Sequence, residues 1–195
     1  MKHTLTVNRE VSVVKIALAG RLRSGKSEVG NHLHIRHGFD EVAFGTELKR
    51  NYHAMLPWVP EFPKPRKGYQ DYGQKMRELF GDDIWIKHAE RKINGIIDFR
   101  VNTNADRIGI VISDLRQPNE LEWARANGFT IIRVTAPDEV RIARAIQAND
   151  DFSVHDLAHE TELAIDGFDV DYEIVNDGMV DDLKRKIDEI LEAIG

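Results

Sequence analysis

Short apolar runs alternate along this chain with longer segments in which apolar residues recur every three or four positions. Each apolar run predicts a strand, and those at 107–113 and 129–134 are continuous enough to indicate burial on both faces of a sheet. The longer segments have the spacing of helices that pack one face against a core. Strands are predicted at 13–19, 41–44, 107–113, 129–134 and 172–175. A first helix is predicted to begin at residue 28. Further helices are predicted at 45–56, 69–80, 83–99, 117–127, 137–148 and 180–194, with a short one near 160.

This alternation predicts an α/β fold in which helices cover both faces of a parallel sheet. Four prolines between 57 and 65 exclude regular helix and central strand there, so this segment is predicted to be a loop or an inserted flap. Ligands of such sheets bind beyond the carboxyl ends of the strands. We therefore expect three segments to lie near one another: 20–27, 114–116 and 137–144.

The segment Gly20-Arg21-Leu22-Arg23-Ser24-Gly25-Lys26-Ser27 matches the phosphate-binding pattern G-x-x-x-x-G-K-[ST] at every fixed position. It follows a predicted strand and leads into a predicted helix, which is the context that this motif requires. The glycines let successive N–H groups curl around phosphate oxygens, and the helix N-terminus adds positive charge. Lys26 is expected to reach the β- and γ-phosphates of ATP and Ser27 to bind Mg²⁺. ATP contacts are predicted from Gly20 through Glu28.

Composition and charge narrow the function classes. The chain has 195 residues, 42% of them hydrophobic and 31% charged, which fits one globular domain. The net charge of −6 argues against a general nucleic-acid binder. The absence of cysteine excludes disulfides, cysteine metal sites and cysteine nucleophiles. Neither a signal-peptide core in the first ten residues nor a membrane-spanning apolar stretch is present, so we predict a cytoplasmic protein without a membrane partner.

Two residues after the third predicted strand are candidates for chemistry. Asp114 ends this strand, where phosphate-loop proteins often carry an acid that holds Mg²⁺. The alternative interpretation is a cap for the helix that begins near Gln117. Arg116 is interpreted either as a bidentate phosphate ligand or as a solvated surface charge.

A second set of arginines follows the fourth predicted strand. Arg141 and Arg144 lie three positions apart on one helix and therefore share a face. With Arg133 on the preceding strand they would surround a phosphate in transfer and stabilise its charge. The alternative is an ordinary polar helix face.

The region 45–80 is basic within an acidic protein and is rich in aromatic residues. Cations would bind the phosphate of a second substrate, and planar side chains would bind a ring. The alternative is a charged surface above core aromatics. The basic residues are Lys49, Arg50, Arg66, Lys67 and Arg77, and the aromatic residues in and beside the region are Tyr52, Trp58, Phe62, Tyr69, Tyr72 and Trp85.

The eight histidines show no H-x-x-x-H zinc arrangement with a plausible acid partner. His32, His34 and His37 have helical spacing and are interpreted as surface residues. The segment His159-Glu160-Thr161-Glu162, taken alone, is interpreted as a helix start.

From about residue 14 to its C-terminus the chain resembles the P-loop monophosphate kinases, and most closely the bacteriophage-type deoxynucleoside monophosphate kinases. The resemblance rests on an ordered series of motifs: R-S-G-K-S at 23–27, a basic pair with glutamine and glycine at 66–73, Trp85, S-D-L-R-Q at 113–117, W-A-R-A-N-G at 123–128, H-E-T-E at 159–162 and N-D-G at 176–178. Two departures are Gln74, where the family has threonine, and the sequence between 45 and 66.

The resemblance implies a three-layer α/β/α P-loop fold and transfer of the ATP γ-phosphate to a deoxynucleoside 5′-monophosphate, with Mg²⁺ held by Ser27 and Asp114. It also implies acceptor contacts from Arg66, Gln70, Asp114 and Arg116, with Trp85 either stacking or packing. From the basic region we add Arg50 and Arg77 as acceptor-binding residues. The residues predicted to have catalytic roles are Lys26, Arg116, Arg141 and Arg144. Within a single domain, 1–10 is expected to be an N-terminal extension, 45–80 an acceptor-binding insertion and 137–165 a mobile lid.

Other functions stay open at this point. Phosphomevalonate and dephospho-coenzyme A are alternative acceptors for a kinase of this kind. An NTPase or nucleotide-binding switch without an acceptor is another class, although the chain lacks the guanine-selecting N-K-x-D of GTPases. A degraded kinase that only binds is a third. The partners are expected to be ATP and a nucleoside monophosphate, and the oligomeric state, including a homodimer, stays open.

Overall fold

The computed structural model describes residues 11–148 and 164–194, and a parallel sheet forms the centre of this part of the chain. Its strands are β1 Ser12–Ala19, β2 Asp40–Val42, β3 Arg107–Leu115, β4 Thr130–Thr135 and β5 Tyr172–Val175. They lie in the order β2-β3-β1-β4-β5, and each neighbouring pair is parallel. The predicted parallel sheet is confirmed.

Helices cover both faces of this sheet. They are α1 Lys26–His37, α2 Phe44–Met55, α3 Arg66–Phe80, α4 Ile84–Asn102, α5 Pro118–Ala126, α6 Asp138–Gln147 and α7 Val180–Ile194, with a short 3₁₀ turn at Ile165–Gly167. One core packs the sheet against α2, α4 and α5, and the other packs it against α1 and α7. This is the three-layer α/β/α arrangement that the resemblance implied.

The central strand β1 contributes to both cores because its side chains alternate between the two faces. Ile16 and Leu18 face α1 and α7, whereas Ala17 and Ala19 face the opposite core. All four are fully buried. Their burial explains why the sequence is continuously apolar here rather than alternating.

The observed element bounds differ from the predicted ones at a few ends. β2 stops at Val42, because Phe44 already begins α2 and donates its backbone N–H to Asp114. Helix α3 begins at Arg66, three residues before its predicted start, and α4 continues to Asn102. Residues 57–65 form turns and bends, as the four prolines predicted. The short helix predicted near 160 lies outside the described residues.

The carboxyl ends of the strands bring the three expected segments to one edge of the sheet. Ala19 pairs with Leu115, which places the segment after β1 beside the segment after β3. Arg141 on α6 donates to the carbonyl of Leu22 at 3.0 Å, which places α6 against the same loop. In the part of the chain that the structure describes, none of the helices is long and apolar enough to cross a bilayer.

Candidate active site

The loop between β1 and α1 has the backbone shape that its glycines make accessible. Gly20 has φ +149°, and a Cβ at this position would lie 2.2 Å from the carbonyl oxygen of Val134. Gly25 has φ +114°, and its Cβ would lie 2.3 Å from Nδ2 of Asn176. The loop therefore packs directly on β4 and on the segment after β5, in contacts that leave no room for a side chain.

Donor side chains hold the carbonyl oxygens of this loop, one after another. Lys26 Nζ donates to Gly20 and, at 2.9 Å, to Arg21. The Leu22 and Arg23 carbonyls accept from Arg141 Nη1 at 3.0 Å and Arg144 Nη1 at 3.4 Å, and the Ser24 carbonyl accepts from Asn176 Nδ2 at 2.8 Å. In a trans peptide the N–H points opposite to the C=O. The amides that follow Leu22 and Ser24 are thereby turned away from α6 and Asn176, as an anion-binding loop requires.

Next to the loop lies a cavity of about 270 Å³. Arg21, Arg133 and Arg141 contribute cationic groups to its lining, and Asp138 and Asp166 contribute carboxylates. Arg21 Nε donates to Asp166 at 3.0 Å, and Arg133 pairs with Glu173 on β5 at 2.6 Å. The cations beside the loop are therefore oriented by acids from neighbouring elements.

Ser24 lines this cavity and has a buried hydroxyl. Its side chain is 1% exposed and its Oγ has no hydrogen-bond partner among the described residues. Buried hydroxyls in proteins are ordinarily hydrogen-bonded. This hydroxyl can therefore donate to a polar ligand bound by the loop.

Arg141 lies in the segment predicted to be a mobile lid, and the structure shows it packed against the loop after β1. The mobility of this segment stays a prediction. Arg141 is only 2% exposed, and besides Leu22 it bonds to the Asp138 carboxylate at 2.7 Å. Arg144 is half-buried and contacts Arg23 and Asn176. Both side chains extend from α6 onto the loop, so α6 packs against the loop 20–27. The remainder of the predicted lid, beyond residue 148, is largely outside the described residues.

The two residues that follow Lys26 differ in their surroundings. Ser27 is exposed at the start of α1, and its role as a metal ligand stays a prediction. Glu28 pairs with Lys184 on α7 at 3.4 Å, and its backbone N–H bonds to Gly25. The predicted ATP contact of Glu28 stays a prediction.

Asp114 is a helix cap, but for a different helix from the one predicted. Its carboxylate oxygens accept the backbone N–H groups of Phe44 at 2.7 Å and Gly45 at 2.9 Å, which ties the end of β3 to the start of α2. The alternative prediction, in which Asp114 caps α5, is wrong.

The helix α5 is capped instead by Glu120, a residue that the sequence analysis missed. Glu120 is 5% exposed, and its Oε2 accepts the backbone N–H groups of Arg116 and Gln117, both at 2.9 Å. Burial raises the pKa of Glu120 to about 7, against the opposing effects of these two amide bonds and of Arg77. The capping-box spacing of Gln117 and Glu120 is the signal that would have indicated it. Glu120 thus shapes the loop that carries Arg116.

Trp85 packs in the core beneath α3. It is 3% exposed, its Nε1 lies 3.4 Å from the Gly73 carbonyl, and its ring stacks on His88. Of the two roles considered, stacking and packing, the structure shows packing. The assignment of Trp85 as an acceptor-binding residue is therefore corrected, because a ring buried in this way presents no face to a second substrate.

The remaining predicted acceptor residues lie on α2, α3 and the loop after β3. Arg50 is 71% exposed and pairs with Glu47. Arg66, Arg77 and Arg116 are half-buried, and Gln70 is exposed. Arg77 is close enough to Glu120 to oppose the rise in its pKa, so α3 and the Arg116 loop approach each other. Their contacts with an acceptor stay predictions.

Asn176 is a further residue of the loop's surroundings that was not predicted as a site residue. It is 6% exposed, donates to Ser24 and accepts from Arg144 at 3.3 Å. Its signal in the sequence is the N-D-G motif before the last helix. Two other sequence features, the extension 1–10 and the H-E-T-E motif at 159–162, lie outside the described residues.

Comparison with known proteins places this chain in a family. The model of a family described as deoxynucleotide monophosphate kinase matches residues 74–187, more than half of the chain. The chain belongs to the deoxynucleotide monophosphate kinase family. The resemblance noted from the motifs is confirmed.

The chain also has more distant relatives. A UPF0200 protein of Sulfurisphaera tokodaii is 25% identical, and the similarity covers 94% of this chain and 99% of that protein. A UPF0200 protein of Saccharolobus solfataricus is 22% identical, with coverage of 94% and 95%.

Among solved structures, shikimate kinase from Acinetobacter baumannii has a TM-score of 0.50 at 16% identity, covering 95% of each chain. TT1252 from Thermus thermophilus has a TM-score of 0.50 at 17% identity, covering 94% of this chain and 99% of that one. At these identities the likeness shows the fold alone. The family and the fold together make this deoxynucleotide monophosphate kinase family member a phosphotransferase of the nucleotide kinase class.

Proposed function

We propose that this protein transfers the γ-phosphoryl group of ATP to the 5′-phosphate of a deoxynucleoside monophosphate. The observation that carries the proposal is the loop 20–27, whose carbonyls are held by side-chain donors, at the same sheet edge as the basic region of α2, α3 and the Arg116 loop. One site would bind a polyphosphate and the other a second anion, as a kinase requires.

Loop 20–27 and Lys26 would bind the β- and γ-phosphates of ATP. An oxygen of the acceptor phosphate attacks the γ-phosphorus, and the bond from that phosphorus to the β–γ bridging oxygen breaks, so that ADP leaves. Little covalent chemistry falls to the protein, because positioning and charge stabilisation do most of the work in such transfers. Lys26, which is 8% exposed and donates to the Arg21 carbonyl of the loop, would stabilise the charge on the β- and γ-oxygens.

The acceptor would lie over α3 and the loop after β3. Arg66 and Arg116 would bind its phosphate, with Arg77 behind them and Gln70 toward the base, and residues 45–80 would act as the acceptor-binding insertion. Three arginines in one region favour a doubly charged phosphate over a neutral acceptor. Tyr52 contacts Tyr69 and Tyr72 edge to face, and these rings form an aromatic cluster between α2 and α3.

The donors near the loop fit Mg²⁺, which prefers oxygen ligands and keeps several waters. Ser27 offers an exposed hydroxyl, and Asp114 offers a carboxylate whose oxygens each accept one amide bond and retain further lone pairs. When bound, Mg²⁺ would neutralise charge on the β- and γ-phosphates. Asp114 would meet it through water, since both of its oxygens hold α2.

The decisive experiment measures ADP release by a coupled assay, with and without a panel of acceptors. The panel contains the four common deoxynucleoside monophosphates, their ribose counterparts, phosphomevalonate and dephospho-coenzyme A. We expect one or more deoxynucleoside monophosphates to accelerate ADP release at least about tenfold. Lys26→Ala should abolish this activity, whereas Lys87→Ala, a control at a lysine that is 63% exposed on α4, should not.

Each other outcome contradicts part of the proposal. ADP release that no acceptor accelerates would identify an NTPase. Acceleration by phosphomevalonate or dephospho-coenzyme A alone would keep the kinase and reject the nucleotide acceptor. Wild-type turnover in Lys26→Ala would remove the loop from the reaction.

A further inference from the structure

Two histidines of α1 meet an aspartate of α7 on the side of the sheet away from α3. His32 Nε2 lies 2.8 Å and His37 Nε2 lies 2.7 Å from the same oxygen, Oδ1 of Asp188. The two imidazole rings contact edge to face, with their centroids 5.3 Å apart. The three ligand atoms all lie within 4.8 Å of one another.

The burial of the cluster is graded. His32 is 12% exposed, His37 is 31% exposed and Asp188 is 40% exposed. Leu33, which follows His32, belongs to the same hydrophobic core as Leu183, Ile187 and Leu191 of α7. The packed core thus holds the donors in place, and their outer side stays open to solvent and to an entering ion.

Two imidazole nitrogens and one carboxylate oxygen are a donor set that suits a divalent transition metal, above all Zn²⁺. Zinc ligands lie about 2.0–2.2 Å from the metal, so neighbouring ligand atoms are typically a little over 3 Å apart. The observed separations from Asp188 are slightly shorter than this, and a rotation of the exposed carboxylate would reach it. Mg²⁺ prefers oxygen ligands, so the same set disfavours the ion of the nucleotide site.

We propose that His32, His37 and Asp188 form a binding site for one divalent transition-metal ion of the zinc class, with water completing the coordination. The ion would join α1 to α7 across 151–156 residues of sequence. His32 follows Lys26 by six residues and His37 by eleven, so at 1.5 Å per residue the site is about 9–16 Å along α1 from the loop lysine. The site is therefore separate from the phosphate-binding loop, and its role is to stabilise the helix that begins there.

The competing explanation is a metal-free cluster in which two imidazole N–H groups donate to one carboxylate. In that case the three side chains together would bind Zn²⁺ no more tightly than separate surface residues do. The two explanations differ in whether the three residues bind one ion in concert.

The experiment is a titration of untagged, EDTA-treated, full-length protein with Zn²⁺, followed by isothermal calorimetry and by thermal unfolding. We expect one ion per chain, and a rise in Tm of about 5 °C or more at a hundredfold excess over Kd. His37→Ala and Asp188→Asn should each weaken this binding at least about tenfold. His34→Ala is the matched control, because it removes an exposed imidazole from the same helix and should leave binding unchanged.

Circular dichroism of each variant before the titration separates loss of binding from loss of fold. If His37→Ala proved unfolded, Asp188→Asn, which preserves the side-chain shape, would carry the test. Stoichiometric Zn²⁺ binding that survives in Asp188→Asn and His37→Ala, or no saturable binding by the folded wild type, would overturn the proposal. Because no nucleotide is present in the titration, its failure would leave the proposed kinase reaction unaffected.

Discussion

Gly20 is the residue of the loop at which a side chain is least compatible with the backbone. Its φ of +149° is strained for other residues, and a Cβ would overlap the Val134 carbonyl. We expect Gly20→Ala to lower the free energy of unfolding by at least about 2 kcal/mol. Gly95→Ala on α4, where a Cβ would meet nothing within 4 Å, should instead stabilise by about 0.5–1 kcal/mol. Urea unfolding of both variants checks this pair, and equal effects would contradict the argument.

Replacing Arg66 shows which of the two substrates α3 contacts. We expect Arg66→Ala to raise the acceptor KM about tenfold or more, because a charge-assisted hydrogen bond to phosphate is lost, and to change the ATP KM much less. Lys75→Ala on the same helix is the control, since Lys75 is 70% exposed and pairs with Glu78. Steady-state kinetics with each substrate varied in turn provide the readout. A larger effect on the ATP KM would remove Arg66 from the acceptor side.

Glu120 gives stability an unusual dependence on pH. The pKa of this buried carboxyl is about 7 in the folded state, against a reference of 4.5. Between these values the folded state binds more protons than the unfolded state, so stability falls as pH rises through this range. The loss amounts to about 3 kcal/mol by pH 8.

The variant Glu120→Gln isolates this effect. Both amide bonds reach a single oxygen, Oε2, so a glutamine oxygen in its place can accept both. We expect Glu120→Gln and wild type to be about equally stable near pH 4.5, and the variant to be more stable at pH 8. Urea unfolding at the two pH values measures the difference. If the variant were destabilised equally at the two pH values, the charge of the buried carboxylate would not be the cause of the loss of stability at high pH.

At the scale of elements, α6 and the loop after β1 behave as one unit through Arg141. We expect Arg141→Ala to lower the free energy of unfolding by about 2 kcal/mol, because the Leu22 carbonyl loses its donor in a buried setting, and to raise the ATP KM. The control Arg185→Ala removes an arginine that is 58% exposed on α7 and should be near neutral. Thermal unfolding gives the answer. An unchanged Tm with a strongly reduced kcat would contradict this structural role and favour the prediction that Arg141 is a lid residue.

The elements themselves were largely predictable from local pattern, and their ends were less so. Strand β5 and helix α7 have the predicted bounds, because their apolar spacing continues to both ends. The boundary between β2 and α2 was missed by two residues, since it depends on Asp114, which lies 70 positions away from Phe44. Trp85 shows the same limit: an aromatic residue in a basic region has the same sequence signal whether it faces a ligand or the core.

At the scale of the whole molecule, the two cores share one sheet. Because adjacent residues of β1 belong to opposite cores, neither core can unfold while the other keeps its sheet intact. We expect a single cooperative transition, with the same midpoint by tryptophan fluorescence and by far-UV circular dichroism. Mg-ATP should shift that midpoint upward as one transition. Two separate transitions would contradict the prediction of a single domain.

The sequence by itself determined the layered fold, the place of the phosphate-binding loop and the family, because strand periodicity, glycine spacing and short ordered motifs are local signals. Only the tertiary structure decided what holds the loop. Arg141 reaches Leu22 across 119 residues and Asn176 reaches Ser24 across 152. It also showed that Trp85 is buried and that Asp188 joins His32 and His37. Such contacts depend on how the strands are ordered in the sheet, and no spacing along the chain encodes that order.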